Sequence, residues 1–253
     1  MKSPRAILLD FGGVLVDVIH CDGELVEVAA EVQELLVTAG ADFLERPRIA
    51  EDLRAGWQAY QNWKKAQVRR PFPLEIGHRE FWEELVAGDW PAASRDVVGR
   101  HASGLCQRLD LATLDRPPRN GALELLCRLA EMDLPVGLVS NALGGAGSRM
   151  LMRRHGFEPY VRVQVYSDEV CMRKPNPGIF EWAARSLGVS LGDCWYVGDT
   201  LDRDVLGARR AGVGRVLLMP SDETKPDGDL VAAPDEIVRR PVDIHDLLTQ
   251  VAR

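Results

Sequence analysis

From residue 117 to residue 219 short apolar runs alternate with amphipathic helical stretches, and this rhythm limits the chain to one fold class. The spacing predicts helices at 121–132, 147–155, 176–187 and 202–211, with strands at 135–139, 161–166, 194–197 and 215–219. A further apolar run, Ala6-Ile7-Leu8-Leu9, opens the chain. Strands that are apolar without alternation are buried on both faces, so they belong to a parallel sheet covered by helices. Right-handed crossovers distribute those helices over the two faces. The expected class is α/β, a doubly wound, Rossmann-like parallel sheet.

Residues 20 to 115 keep a different period. Val26, Ala29, Ala30, Val32 and Leu36 fit one helix, and Ile49, Leu53, Trp57 and Tyr60 fit a second. Stretches 78–88 and 93–113 read as helix too, broken by Gly88-Asp89-Trp90-Pro91. With no strand-like alternation in this interval, an inserted all-helical cap domain is expected at 20–115, between core segments 1–19 and 116–253. The tail from 220 begins as a polar loop and ends in a short amphipathic helix at 244–251. A chain of 253 residues buries roughly 70 to 75 % of its unfolded surface, enough for a main core and a smaller companion.

A net charge of -7 opposes general affinity for nucleic acid or anionic membrane. Residues 46–79 nevertheless carry a local +5, with Arg54, Lys64, Lys65, Arg69 and Arg70 interleaved among Trp57, Tyr60 and Trp63. Such a surface suits an anionic substrate with a stackable part, although aromatic core packing and solvated charge is the commoner use of this pattern. The five cysteines are scattered without metal-ligand spacing, as in a reducing compartment. With no apolar run near the ~20 residues of a membrane span and no leader before the first strand, a cytoplasmic protein is expected. Oligomeric state is not encoded legibly.

The strands of the βα region end in chemistry. Asp10 follows the first strand and is succeeded by Gly12 and Gly13; Ser140-Asn141 ends the second; Lys174 lies beyond the third; Asp199 and Asp204 follow the fourth. In a parallel sheet these ends share one edge, where ligands bind. Each residue has an ordinary use by itself: Ser140-Asn141 as a helix cap, Lys174 as a solvated loop charge, the two aspartates as acids at a helix N-terminus. A carboxylate, a hydroxyl, an ammonium and an acidic pair in one crevice form an apparatus for phosphoryl transfer, which needs positioning and neutralisation of charge. Gly144-Gly145-Ala146-Gly147 lacks the Lys-Ser/Thr of a Walker loop and reads as flexible backbone.

Over roughly residues 5–19 and 119–220 these motifs resemble the haloacid dehalogenase superfamily. The resemblance implies a magnesium-dependent phosphohydrolase acting on a small phosphorylated metabolite through an aspartyl-phosphate on Asp10. It implies phosphate binding by Ser140 and Asn141 with the Gly13 backbone, charge neutralisation by Lys174, and Mg2+ held by Asp10, the Gly12 carbonyl, Asp199 and Asp204. One position departs from the pattern: most phosphatases of the family carry a second aspartate, a general acid and base, where this chain has Gly12. Asp17 and His20 are candidate substitutes, and a substrate with a good leaving group is the other solution. Alternatives on the same fold are a phosphotransferase or mutase, a dehalogenase, or a regulatory module that binds metal or phosphometabolite without turnover. The dehalogenase is disfavoured because halide displacement needs no metal, whereas Asp199 and Asp204 supply a site for one.

Overall fold

The computed structural model describes residues 3–21, 25–41, 43–222, 224 and 232–251. Its strands are β1 (Ala6–Leu9), β2 (Ile19–His20), β3 (Leu114–Asp115), β4 (Val136–Ser140), β5 (Val163–Tyr166), β6 (Cys194–Gly198), β7 (Arg215–Leu218) and β8 (Glu236–Ile237). Six of them form one parallel sheet in the order β5-β4-β1-β6-β7-β8. The chain starts in the middle, winds outward through β4 and β5, then returns to β6 on the other side. The direction of winding therefore reverses at β1, and a crevice opens at its carboxyl end.

Residue alternation along the strands builds two separate apolar layers. Ile7 and Leu9 of β1, with Val136, Leu138 and Val197, pack on Leu125, Leu126 and Leu129 of helix Ala122–Glu131 and on Ile244 and Leu248 of helix Pro241–Val251. Ala6 and Leu8, with Val139, Cys194 and Tyr196, face Ile179, Phe180 and Ala183 of helix Pro177–Ser186. This latter helix starts where the sequence signals it: Asn176 caps it by accepting a hydrogen bond from the Gly178 amide at 3.0 Å, and Pro177 fills the first turn.

A third apolar cluster belongs to the insertion. Helices Leu25–Thr38, Arg46–Gln67 and Ala92–Thr113, with a helical stretch running from His78 through Val86, enclose Val32, Leu53, Tyr60, Phe81, Trp82 and Leu109. The expected first face is corrected in detail. Leu25, Val28, Ala29, Val32 and Leu36 are buried, while Val26 is 50 % exposed, because the helix presents Leu25 and Val28 to its neighbours. The two chain crossings at the root of the insertion also pair, Ile19 with Asp115 and His20 with Leu114, as a short antiparallel ribbon that two residues per strand are too few to announce. The glycine run is not loose backbone either. Gly145 opens the helix Gly145–Arg154, and a Cβ on Gly144 would lie 2.8 Å from the Cα of Gln107, so this is where the cap's long helix touches the core. Among the described residues no helix is long and apolar enough to cross a membrane.

Candidate active site

Asp10 leaves the end of β1 between β4 and β6, and its amide remains tied to the Val197 carbonyl at 2.9 Å. One carboxylate oxygen accepts from the Phe11 amide at 2.7 Å. The other pairs with the Lys174 ammonium at 2.7 Å. Lys174 is buried and also reaches Asp204 Oδ1 at 2.6 Å and the Tyr196 hydroxyl at 3.0 Å. Asp199 and Asp204 flank the start of the helical turn after β6, so Asp10, Asp199 and Asp204 each bring one carboxylate oxygen within 4.8 Å of the others. Residues spread over almost two hundred positions thus meet around one point.

The loops that carry them are fixed by their own hydrogen bonds. Gly13 has φ +72°, and a Cβ there would sit 2.3 Å from Asp199 Oδ2, so glycine is required for both conformation and space. Asn141 clamps the lysine loop on both sides, accepting from the Lys174 amide at 2.7 Å and donating to the Lys174 carbonyl at 3.1 Å. Ser140, the last residue of β4, is buried beside this clamp. Gly12 is closely covered: a Cβ would stand 3.0 Å from Val18 Cγ2.

A family model for haloacid dehalogenase-like hydrolases matches residues 4–212. The chain belongs to that family. Among curated relatives of this hydrolase, phosphoglycolate phosphatase of Xanthomonas campestris pv. campestris is 30 % identical over 95 % of both chains. Glyceraldehyde 3-phosphate phosphatase of Methanopyrus kandleri is 34 % identical over 54 % of this chain, which spans 58 % of that relative's length. Among solved structures, the HAD-hydrolase YfnB of Bacillus subtilis shares the fold with a TM-score of 0.56 at 18 % identity, covering 98 % of this chain and 99 % of that one. The 2-haloacid dehalogenase of Pseudomonas syringae pv. tomato gives 0.62 at 16 % identity, covering 97 and 98 %.

Electrostatics in this cluster are uneven. Burial pushes the Asp10 carboxyl up to about 6 against the pull of Lys174. Asp199 is pushed further, to about 8, first by burial and then by Asp204. Burial also works against the ionised form of Asp204, but Lys174 and Arg203 outweigh it and hold this carboxyl well below the usual range. Burial would lower Lys174, yet Asp10 and Asp204 keep it protonated. The cluster therefore contains one firmly ionised carboxylate, Asp204, and two, Asp10 and Asp199, whose ionisation burial disfavours.

Several participants escaped the sequence. Tyr196 donates to Asp204 Oδ1 at 2.5 Å, Ser221 donates to Asp199 Oδ2 at 2.5 Å, and Arg119 holds the Gly13 and Pro220 carbonyls. None has a motif; only Tyr196, a polar tip in an apolar strand, offered a signal. Asp17, by contrast, is exposed and faces Arg119 at 3.8 Å, and His20 lies exposed in the ribbon, so neither joins the carboxylates around Asp10. In the basic segment Tyr60 is core, Lys64 lies over the Tyr60 ring at 5.0 Å, and Arg54, Lys65, Arg69 and Arg70 are exposed. A cleft of about 480 Å³ lined by Trp195, Arg215 and Asp235 sits at the opposite, amino-terminal end of the strands.

Proposed function

We propose that this protein is a magnesium-dependent phosphohydrolase of small phosphorylated metabolites, with Asp10 as the nucleophile. The observation that carries this reading is the buried trio Asp10, Asp199 and Asp204, two of them paired to the Lys174 ammonium, because three carboxylates against Lys174 and Arg203 leave an excess of negative charge. Oxygen-only donors suit a hard divalent cation, whose charge would favour the ionised forms of Asp10 and Asp199 that burial disfavours. Asp10, the Gly12 carbonyl, Asp199 and Asp204 would hold Mg2+. When bound it supplies positive charge that lets an anionic carboxylate approach a phosphate dianion.

The chain's own residues do the rest. Asp204, kept ionised, fixes the Lys174 ammonium, which neutralises the Asp10 carboxylate and a phosphate oxygen. Ser140, Asn141 and the Gly13 backbone receive the other phosphate oxygens. Attack by Asp10 on phosphorus forms the acyl-phosphate and releases the substrate's alcohol oxygen; water then returns phosphate and regenerates the carboxylate. We assign residues 20–115 to the cap that closes over this step, with 1–19 and 116–253 as core. The lack of a side-chain acid at Gly12 favours a substrate whose leaving oxygen departs without a proton, such as an anomeric, acyl or aryl phosphate. It also supports a second reading, transfer of the phosphoryl group to an acceptor other than water, visible as phosphorylated product when alcohols or sugars are added.

A panel of phosphorylated metabolites, 2-phosphoglycolate and glyceraldehyde 3-phosphate among them, assayed with Mg2+ tests the proposal. Phosphate release that disappears with EDTA and in Asp10→Asn is expected. Equal behaviour of wild type and Asp10→Asn across the panel overturns it and points to a binding module.

A further inference from the structure

One cap segment, residues 73–78, enters the core beside the site. The Pro73 carbonyl accepts from Asn176 Nδ2 at 3.0 Å, and the Glu75 amide donates to the Cys171 carbonyl at 3.3 Å. His78 Nε2 lies 3.2 Å from Asp168 Oδ2, which also takes the Gly145 amide at 2.9 Å. At the centre of the segment is a carboxylate with no role in the reaction described above. Glu75 Oε1 pairs with Arg173 Nη1 at 2.6 Å, with the two side chains 1 % and 2 % exposed. Its other oxygen, Oε2, accepts from Ser167 Oγ at 2.5 Å.

Both partners lead directly to the site. Ser167 Oγ accepts from the Ala142 amide at 2.9 Å, and Ala142 follows Ser140-Asn141. Arg173 precedes Lys174, whose amide and carbonyl are held by Asn141. The contacts close a ring: Glu75, Ser167, Ala142, Asn141, Lys174, Arg173 and back to Glu75. Every bond of the ring lies within the core except those made by Glu75, which comes from the cap. A buried ion pair is weak as a source of stability but well suited to specifying one arrangement.

We propose that Glu75 is a positioning residue: a cap carboxylate that sets the register between the lysine loop and the Ser140-Asn141 loop, so that the site is aligned when the cap is docked. The proposal rests on the phosphohydrolase reading for its kinetic consequence and on geometry alone for its structural one. Displacement of reacting groups by about 1 Å costs on the order of 100-fold in rate. Glu75 touches the loops and not the substrate, so the loss belongs in kcat.

The test uses full-length protein with 4-nitrophenyl phosphate and Mg2+, and hydrogen exchange by mass spectrometry without substrate. Glu75→Gln should lower kcat about 10- to 100-fold with KM within about threefold, and Glu75→Asp should recover part of the loss. Ser167→Ala, which leaves the ion pair intact, should give a smaller loss of the same kind. Glu75→Gln/Arg173→Met removes the charges together and keeps the fold available should single variants fail to fold; it should remain slow. In each variant lacking Glu75, amide exchange in peptides covering 140–146 and 171–177 should accelerate. Wild-type exchange in both peptides overturns the proposal, as does a wild-type kcat in the folded double variant. If the wild type itself releases no phosphate, the functional reading fails and the exchange result still decides the positioning claim.

Discussion

Lys174 is the residue on which the site balances. Its ammonium is shared between Asp10 and Asp204 at 2.7 and 2.6 Å inside a buried cluster. Lys174→Met leaves both carboxylates without their partner, so activity should vanish and stability should fall by about 3–5 kcal/mol. Asp10→Asn removes one of the excess negative charges instead. It should abolish turnover while leaving metal-free stability unchanged or raised, a contrast that denaturant unfolding of the two variants measures. At Gly13 the constraint is steric: an alanine meets Asp199 Oδ2 and must hold φ +72°. Gly13→Ala should cost at least about 1–2 kcal/mol for the backbone alone and displace Asp199, weakening Mg2+ binding read by calorimetry. At Gly12 the neighbour is a single Val18 methyl, so Gly12→Asp combined with Val18→Ala, which removes it, should raise turnover of alkyl phosphates relative to aryl ones. An unchanged ratio removes the link between Gly12 and the leaving group.

At the scale of elements, what the sequence made legible was what local pattern controls. Continuous apolar runs ending in Asp10, Ser140 and Asp199 marked strands β1, β4 and β6, and those strands are neighbours in the sheet. The helix expected at 176–187 stands at Pro177–Ser186, opened by its proline. Patterns shorter than one helical turn or one pair of alternating residues carried no such signal, which is why the β2–β3 ribbon and β8 were missed. Tertiary partners were hidden for a different reason: Glu75 meets Ser167 and Arg173 across about a hundred positions, and no periodicity connects them. The glycine run belongs to the same category, since its meaning lies in the Ala92–Thr113 helix packed against it. Gly144→Ala should therefore lower stability by about 1–3 kcal/mol through overpacking between cap and core, whereas truly flexible backbone would be unaffected or slightly stabilised. Thermal unfolding separates the two.

For the whole molecule, the buried carboxylates link folding, protons and cation. Burial pushes the Asp10 and Asp199 carboxyls up to about 6 and about 8 in the folded protein, from an ordinary value of 3.8. Between about pH 4 and 8 the folded state thus retains protons that the unfolded state has released, so these two groups lower metal-free stability as pH rises. Asp204, shifted downward, has the opposite sign: its contribution is complete above the unfolded value and is lost as pH falls toward its folded one. A divalent cation that binds ionised Asp10 and Asp199 must displace their protons, so its affinity rises with pH across the same window. Saturating Mg2+ should therefore raise the melting temperature more at about pH 8.5 than at about pH 5, by several degrees. Replacing Asp199 by Asn should flatten both the metal-free decline and the pH dependence of the Mg2+ gain. A magnesium increment independent of pH places the cation away from Asp10 and Asp199 and removes the electrostatic basis of the proposed function.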